Sequence, residues 1–186
     1  MADNRKHQSH SSAIALTPKK VTPKIRFVDL WASYPSSHPV KGIDNQCAIK
    51  MSVALNGAGV NMKSFKGAFV REKGILLALR ANELSSWLNR QHIAGIDISK
   101  DITGENWQDT IKDKKGIVFF HNYWLRPGQT KNPTGDHIDL WNGSRLTASG
   151  FEGAVVTILR FDLGINSGPG FSDLRKATTI LFWEVR

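Results

Sequence analysis

The sequence predicts an α+β fold in which N-terminal helices pack on an antiparallel sheet. Two observations predict it. Helical apolar spacing dominates the first half of the chain, at 42–60 and again at 81–92, while β-branched and aromatic runs cluster late, at 116–125, 136–141 and 177–185. Helices first and strands later is the order of an α+β domain. The 186 residues, 40% of them hydrophobic, suffice for one domain or one domain plus a tail, and no internal repeat is visible.

Taken in order, residues 1–24 are rich in Ser, His, Lys and Pro without any period and read as a disordered basic tail, leaving 25–186 as the folded part. "IRFVDLWASYP" (25–35) predicts a short helix burying Phe27, Leu30 and Trp31 and ending at Pro35. In "GIDNQCAIKMSVALNGAGV" (42–60) Asp44 or Asn45 is the expected cap, Ala48, Met51 and Leu55 recur at helical spacing, and Asn56-Gly57 is the expected stop. That reading puts Cys47 in the first turn of a largely buried helix. "ANELSSWLNRQH" (81–92) spaces Leu84, Trp87, Leu88 and Gln91 as a helix, and "TGENWQDTIKDK" (103–114) reads as a short helix capped by Thr103. "GIVFFHNYWL" (116–125) is a predicted central strand, and "RPGQTKNPTG" (126–135) a loop. "DHIDLW" alternates, with His137, Asp139 and Trp141 on one face and Ile138 and Leu140 on the other. The segment 151–164 fits helix or strand, "GPGF" is a turn, and "ATTILFWEV" (177–185) is the final strand.

Composition narrows the function classes. No apolar run reaches the ~18 residues of a membrane span, and the N-terminus lacks the apolar core of a secretory signal, so export would use another route. Net charge is +9, and the segment 1–26 holds five of those nine charges. A basic tail can bind nucleic acid or anionic surfaces, or simply be solvated. The single cysteine, Cys47, excludes an internal disulfide.

The chemistry-bearing stretch is "TGDHIDLWNG" (134–143). His-x-Asp is half of a facial-triad metal site, but no histidine follows His137, and His121 could complete a set only in reversed order. The other chemistry is a cysteine–histidine dyad. A thiol at a helix N-terminus meets unpaired backbone N–H groups and the positive end of the dipole, both of which favour thiolate. His137 on a later strand could supply an imidazolium, and Asp139, on the same strand face, an acceptor to orient the ring. Residue types alone leave open the alternative of a buried structural cysteine and a surface histidine.

"NQCAIKMSVALNGAGV", "GDHIDLWNGSRLT" and the closing "LFWEV", in that order across about residues 25–186, resemble the type VI secretion amidase effectors of family four. The resemblance implies a papain-like (NlpC-like) cysteine hydrolase fold for 25–186 and a peptidoglycan amidase toxin. It implies cleavage between γ-D-glutamate and meso-diaminopimelate in the stem peptide, in the periplasm of a rival bacterium, without metal or other cofactor. The implied partners are the stem peptide, the type VI machinery and a cognate immunity protein, with neither nucleic acid nor membrane. Cys47 matches the family nucleophile and His137 its general base. The family's third residue, an Asp eleven positions beyond the histidine, corresponds to Ala148 here, so Asp139 is the expected orienting group. The Cys47 backbone N–H, with Asn45 or Gln46, is expected to hold the oxyanion. The competing expectations are a nucleic-acid-binding module, motivated by the charge and six tryptophans, and a catalytically inactive wall-binding domain.

Overall fold

Three helices and a hairpin cover one face of a four-stranded antiparallel sheet. A computed structural model describes residues 23–125, 128, 130–147 and 173–186. The tail up to residue 22, the ambiguous segment 151–164, the "GPGF" turn and position 148 lie outside the described residues.

Helix α1 (Phe27–Ser33) buries Phe27 and Leu30, with Trp31 packed partly against the same core, and its first turn carries an Arg26–Asp29 ion pair. Helix α2 (Cys47–Gly57) buries Ala48, Ile49, Met51, Ala54 and Leu55, which lie nearly all round the helix, as a helix enclosed by the core requires. Gly57 permits the crossing of α1 and α2: a Cβ there would lie 2.6 Å from the Ser33 Cβ. The left-handed residue that ends the helix is Gly59 (φ +91°), two residues beyond the expected stop.

Strands β1 (Phe69–Glu72) and β2 (Ile75–Ala78) form a hairpin not anticipated from the sequence. Its turn residues, Lys73 and Gly74, have φ of +48° and +82°, the type I′ pattern, although Lys-Gly lacks the Asn-Gly signature of such turns. Helix α3 (Ala81–Asn89) follows, burying Leu84, Trp87 and Leu88; Gln91 falls beyond its end.

Strand β3 (Lys100–Asp101) follows, and the single turn α4 (Trp107–Thr110) stands where a longer helix is expected at 103–114. Thr103 does not cap it. Its hydroxyl donates to Asp101 Oδ1 at 2.5 Å and accepts from the Ile180 amide at 2.9 Å, fastening β3 to the sheet, and Gly104 (φ +153°) breaks the chain before the helix begins.

Strands β4 (Gly116–Trp124), β5 (Gly135–Trp141) and β6 (Thr179–Glu184) complete the sheet in the order β3-β6-β4-β5. β4 is central, paired with β5 and β6, and β5 is an edge. The alternation read in "DHIDLW" partitions two cores. Ile138 and Leu140 join Ile117, Phe119 and Trp183 against α1, α2 and α3. Trp141 joins Val118, Phe120, Phe182 and Trp107 on the opposite face.

Candidate active site

Cys47 is the first residue of α2, but Asp44 and Asn45 do not cap the helix. The N-cap is Gln46, in αR geometry and with no side-chain capping bond. The Gln46 amide instead donates to the carbonyls of Val40 and Ile43, at 2.6 and 2.5 Å, and braces the loop behind the cysteine. Those bonds commit the Gln46 amide nitrogen, which cannot then serve as an oxyanion donor; Asn45, exposed, is the remaining side-chain candidate.

α2 packs on the Ile138/Leu140 face, whereas His137 and Asp139 alternate onto the other. They meet Cys47 at the free edge of β5. An edge strand has a row of N–H groups without sheet partners. Here the Ile138 N–H donates to the Cys47 sulfur, and the Leu140 N–H donates to Asp139 Oδ1 at 2.8 Å. The edge is thus capped by the site itself.

The His137 ring packs beside Phe120 and Tyr123, with centroids 6.3 and 6.5 Å away, and its side chain is 26% exposed. Its Nε2 faces Asp139 Oδ2 at 3.3 Å, which leaves Nδ1 for the thiol. The Asp139 carboxylate is buried, and Oδ1 also accepts from the Thr147 hydroxyl. Thr147 arrives there because the chain reverses after β5: the Asn142 side chain accepts from the Ser144 and Arg145 amides, Gly143 takes φ +105°, and Trp141 pairs with Leu146. The buried Tyr34 hydroxyl, just past α1, lies against the same Asp139–Thr147 pair; burial and the neighbouring carboxylate push the phenol well above its ordinary value.

The electrostatics separate charge across the dyad. Burial pushes the Cys47 thiol up, but the His137 ring and the backbone N–H groups of Ile138 and Ala48 outweigh it and bring the thiol below its ordinary value. Burial lowers His137, but Asp139 and the Cys47 sulfur outweigh it and push the imidazole up to about 10. The arrangement favours thiolate facing imidazolium.

His121 is not part of this group. It neighbours Phe120, the cross-strand partner of His137, and so projects to the other face, where Nδ1 meets Asp136 Oδ1 at 2.8 Å. Among the described residues no three His, Cys, Asp or Glu side chains converge as a metal-ion site would need, and no helix is long and apolar enough to cross a membrane.

The sequence reading missed Tyr34, Thr147 and Lys50. Lys50, 4% exposed and one helical turn after Cys47, carried a signal: it is a lone cation within the apolar run "CAIKMSVAL". Tyr34 and Thr147 come from other segments and carried none.

A family model described as type VI secretion system (T6SS), amidase effector protein 4 (Tae4) matches residues 43–183. Among solved structures, the type VI effector Tae4 from Enterobacter cloacae is similar at 19% identity with a TM-score of 0.58, covering 88% of this chain and 98% of that one. The effector Tae4 from Salmonella typhimurium, in complex with the immunity Tai4 from Enterobacter cloacae, is similar at 16% identity with a TM-score of 0.56, covering 87% of this chain and 99% of that one. No curated protein matches the chain. At such identities the structural likeness speaks to the shared α+β fold.

Proposed function

The chain belongs to the Tae4 family of type VI secretion amidase effectors, and from that premise we propose that it is a cysteine amidase toxin that cuts peptidoglycan stem peptides between γ-D-glutamate and meso-diaminopimelate. The observation that carries the reading is the meeting of Cys47, His137 and Asp139 at the edge of β5, with the thiol lowered and the imidazole raised. A cysteine at the head of a buried helix, packed on an antiparallel sheet that bears the histidine, also supports reading residues 25–186 as a papain-like (NlpC-like) domain.

The proposed reaction has two halves. The Cys47 thiolate attacks the γ-glutamyl carbonyl, and the tetrahedral oxyanion is held by the Cys47 backbone N–H, one of the donors left free at a helix start. His137 delivers its Nδ1 proton to the departing diaminopimelate amine as the C–N bond breaks. Water, deprotonated by the now neutral His137, then attacks the thioester; the acid is released and the thiol regenerated. Asp139 holds the ring by Nε2 throughout. No step requires a metal or other cofactor.

Family membership also motivates delivery by a type VI machine into the periplasm of a target bacterium. The solved Tae4–Tai4 complex motivates a cognate immunity protein as a partner. A nucleic-acid role is disfavoured because Trp87, Trp107, Trp141 and Trp183 are core residues, unavailable for base stacking.

The test is digestion of purified diaminopimelate-type peptidoglycan, with the new termini identified by mass. The expected products carry a free γ-D-glutamyl carboxylate and a free diaminopimelate amine, and Cys47→Ala should release none. Binding to the wall without any fragment release would instead make the domain an inactive wall binder, and residual cleavage by Cys47→Ala at even a tenth of the native rate would exclude Cys47 as the nucleophile.

A further inference from the structure

Lysine is almost never fully buried unless its charge is paired. Lys50 is 4% exposed as a residue, with its ammonium still in contact with solvent, and among the described residues it forms no contact ion pair and no side-chain hydrogen bond. It sits on α2 one turn after Cys47, and α2 packs against β5, the strand that bears His137 and Asp139. Burial pulls its ammonium below the ordinary lysine value, while Asp139 and Cys47 pull the other way.

The charges of the site do not balance without it. The thiolate–imidazolium form has two anions, the Cys47 sulfur and the Asp139 carboxylate, and one cation, His137. In a poorly solvated cluster a net negative charge is most easily relieved by returning a proton to sulfur. We propose that Lys50 is a positioning residue of the active site, whose ammonium supplies the second cation of a neutral four-charge cluster with Cys47, His137 and Asp139 and thereby holds the cysteine as thiolate. It acts through the field at the sulfur rather than by touching the substrate. The inference rests on the proposed Cys47–His137 chemistry and deepens it.

The experiment is the pH profile of Cys47 alkylation by iodoacetamide, measured on the full chain between about pH 5 and 9, the span over which a perturbed thiol titrates. Lys50→Met and Lys50→Gln should move the profile to higher pH, lowering the rate near pH 6 by roughly tenfold, as one decade of thiolate population requires. Lys50→Arg, which keeps the charge, should restore the native profile. A lysine that merely covers apolar surface with its stem would give the opposite pattern: altered melting with an unchanged alkylation profile, which overturns the proposal. If the Met variant does not fold, the Gln variant, with a polar end on a similar stem, decides alone. A native protein that alkylates as described but releases no peptide fragments would sink the amidase reading and leave this one standing. A native protein that digests peptidoglycan while its alkylation is indifferent to Lys50 would do the reverse.

Discussion

The carboxylate of Asp139 divides its oxygens between two tasks. Oδ1 is held by the Leu140 amide and the Thr147 hydroxyl, and Oδ2 faces His137 Nε2. Asp139→Asn should separate them. The amide oxygen can still accept from Leu140 and Thr147, so melting temperature should change little. The amide nitrogen, however, presents hydrogens to Nε2 and favours the tautomer protonated on Nδ1, which then cannot take the thiol proton. Peptide-stem turnover should fall by ~10²–10⁴; near-native turnover with a lowered melting temperature would make Asp139 a structural residue only. At this scale much of the site was legible. A cysteine at a predicted helix start and a His-x-Asp alternation on one strand are local patterns. Tyr34 and Thr147 were not legible, because one depends on where α1 ends against α2 and the other on a chain reversal after Asn142.

Helix α2 has to be held in place for Cys47 to reach the β5 edge, and Ser52 fastens it to the β1–β2 hairpin. Its buried hydroxyl donates to the Ala48 carbonyl at 2.8 Å and accepts from the Ala78 amide of β2 at 2.9 Å. Ser52→Ala strands that buried N–H, which costs about 1–3 kcal/mol. The variant should melt a few degrees lower, at the roughly 2–4 °C per kcal/mol expected for this size, and its folded form should keep the native alkylation profile. An unchanged melting temperature would mean that the Ala78 amide finds another acceptor. The helices α1, α2 and α3 and strands β4, β5 and β6 were legible because each carries its period in its own apolar residues. The elements misread are those that neighbours decide. The β1–β2 hairpin turns on Lys73-Gly74, a pair without a strong turn signature, and the start of α2 is set by Gln46 reaching back to Val40 and Ile43 rather than by Asp44 or Asn45. The helix expected from Thr103 is pre-empted because Thr103 is used to join β3 to β6.

Across the whole molecule, the dyad couples stability to pH through two groups that act in opposite directions. His137 is raised from an ordinary 6.5 to about 10, so its contribution is complete below 6.5 and is lost as pH rises through about 10. Cys47 is lowered from an ordinary 9.0, so its contribution is complete above 9.0 and is lost as pH falls through its folded value. Just below pH 9.0 both slopes act with opposite signs: the folded state keeps a proton on the ring that the unfolded chain loses, and lacks a proton on sulfur that the unfolded chain keeps. They cancel, and the pair adds no pH dependence there. Cys47→Ala removes the rising slope, but it also removes the sulfur that helps raise the ring, so it does not isolate one charge. An ion pair and a neutral pair hold the same single proton, so the pH course of stability is the same for both. Thiolate absorbance separates them. The ultraviolet difference between the native protein and Cys47→Ala should persist as pH is lowered from 9.0 toward neutral, because the folded thiol lies below its ordinary value. Absorbance lost over that range would mean that sulfur and ring are both neutral in the folded protein, and that the thiol must be deprotonated only when substrate arrives.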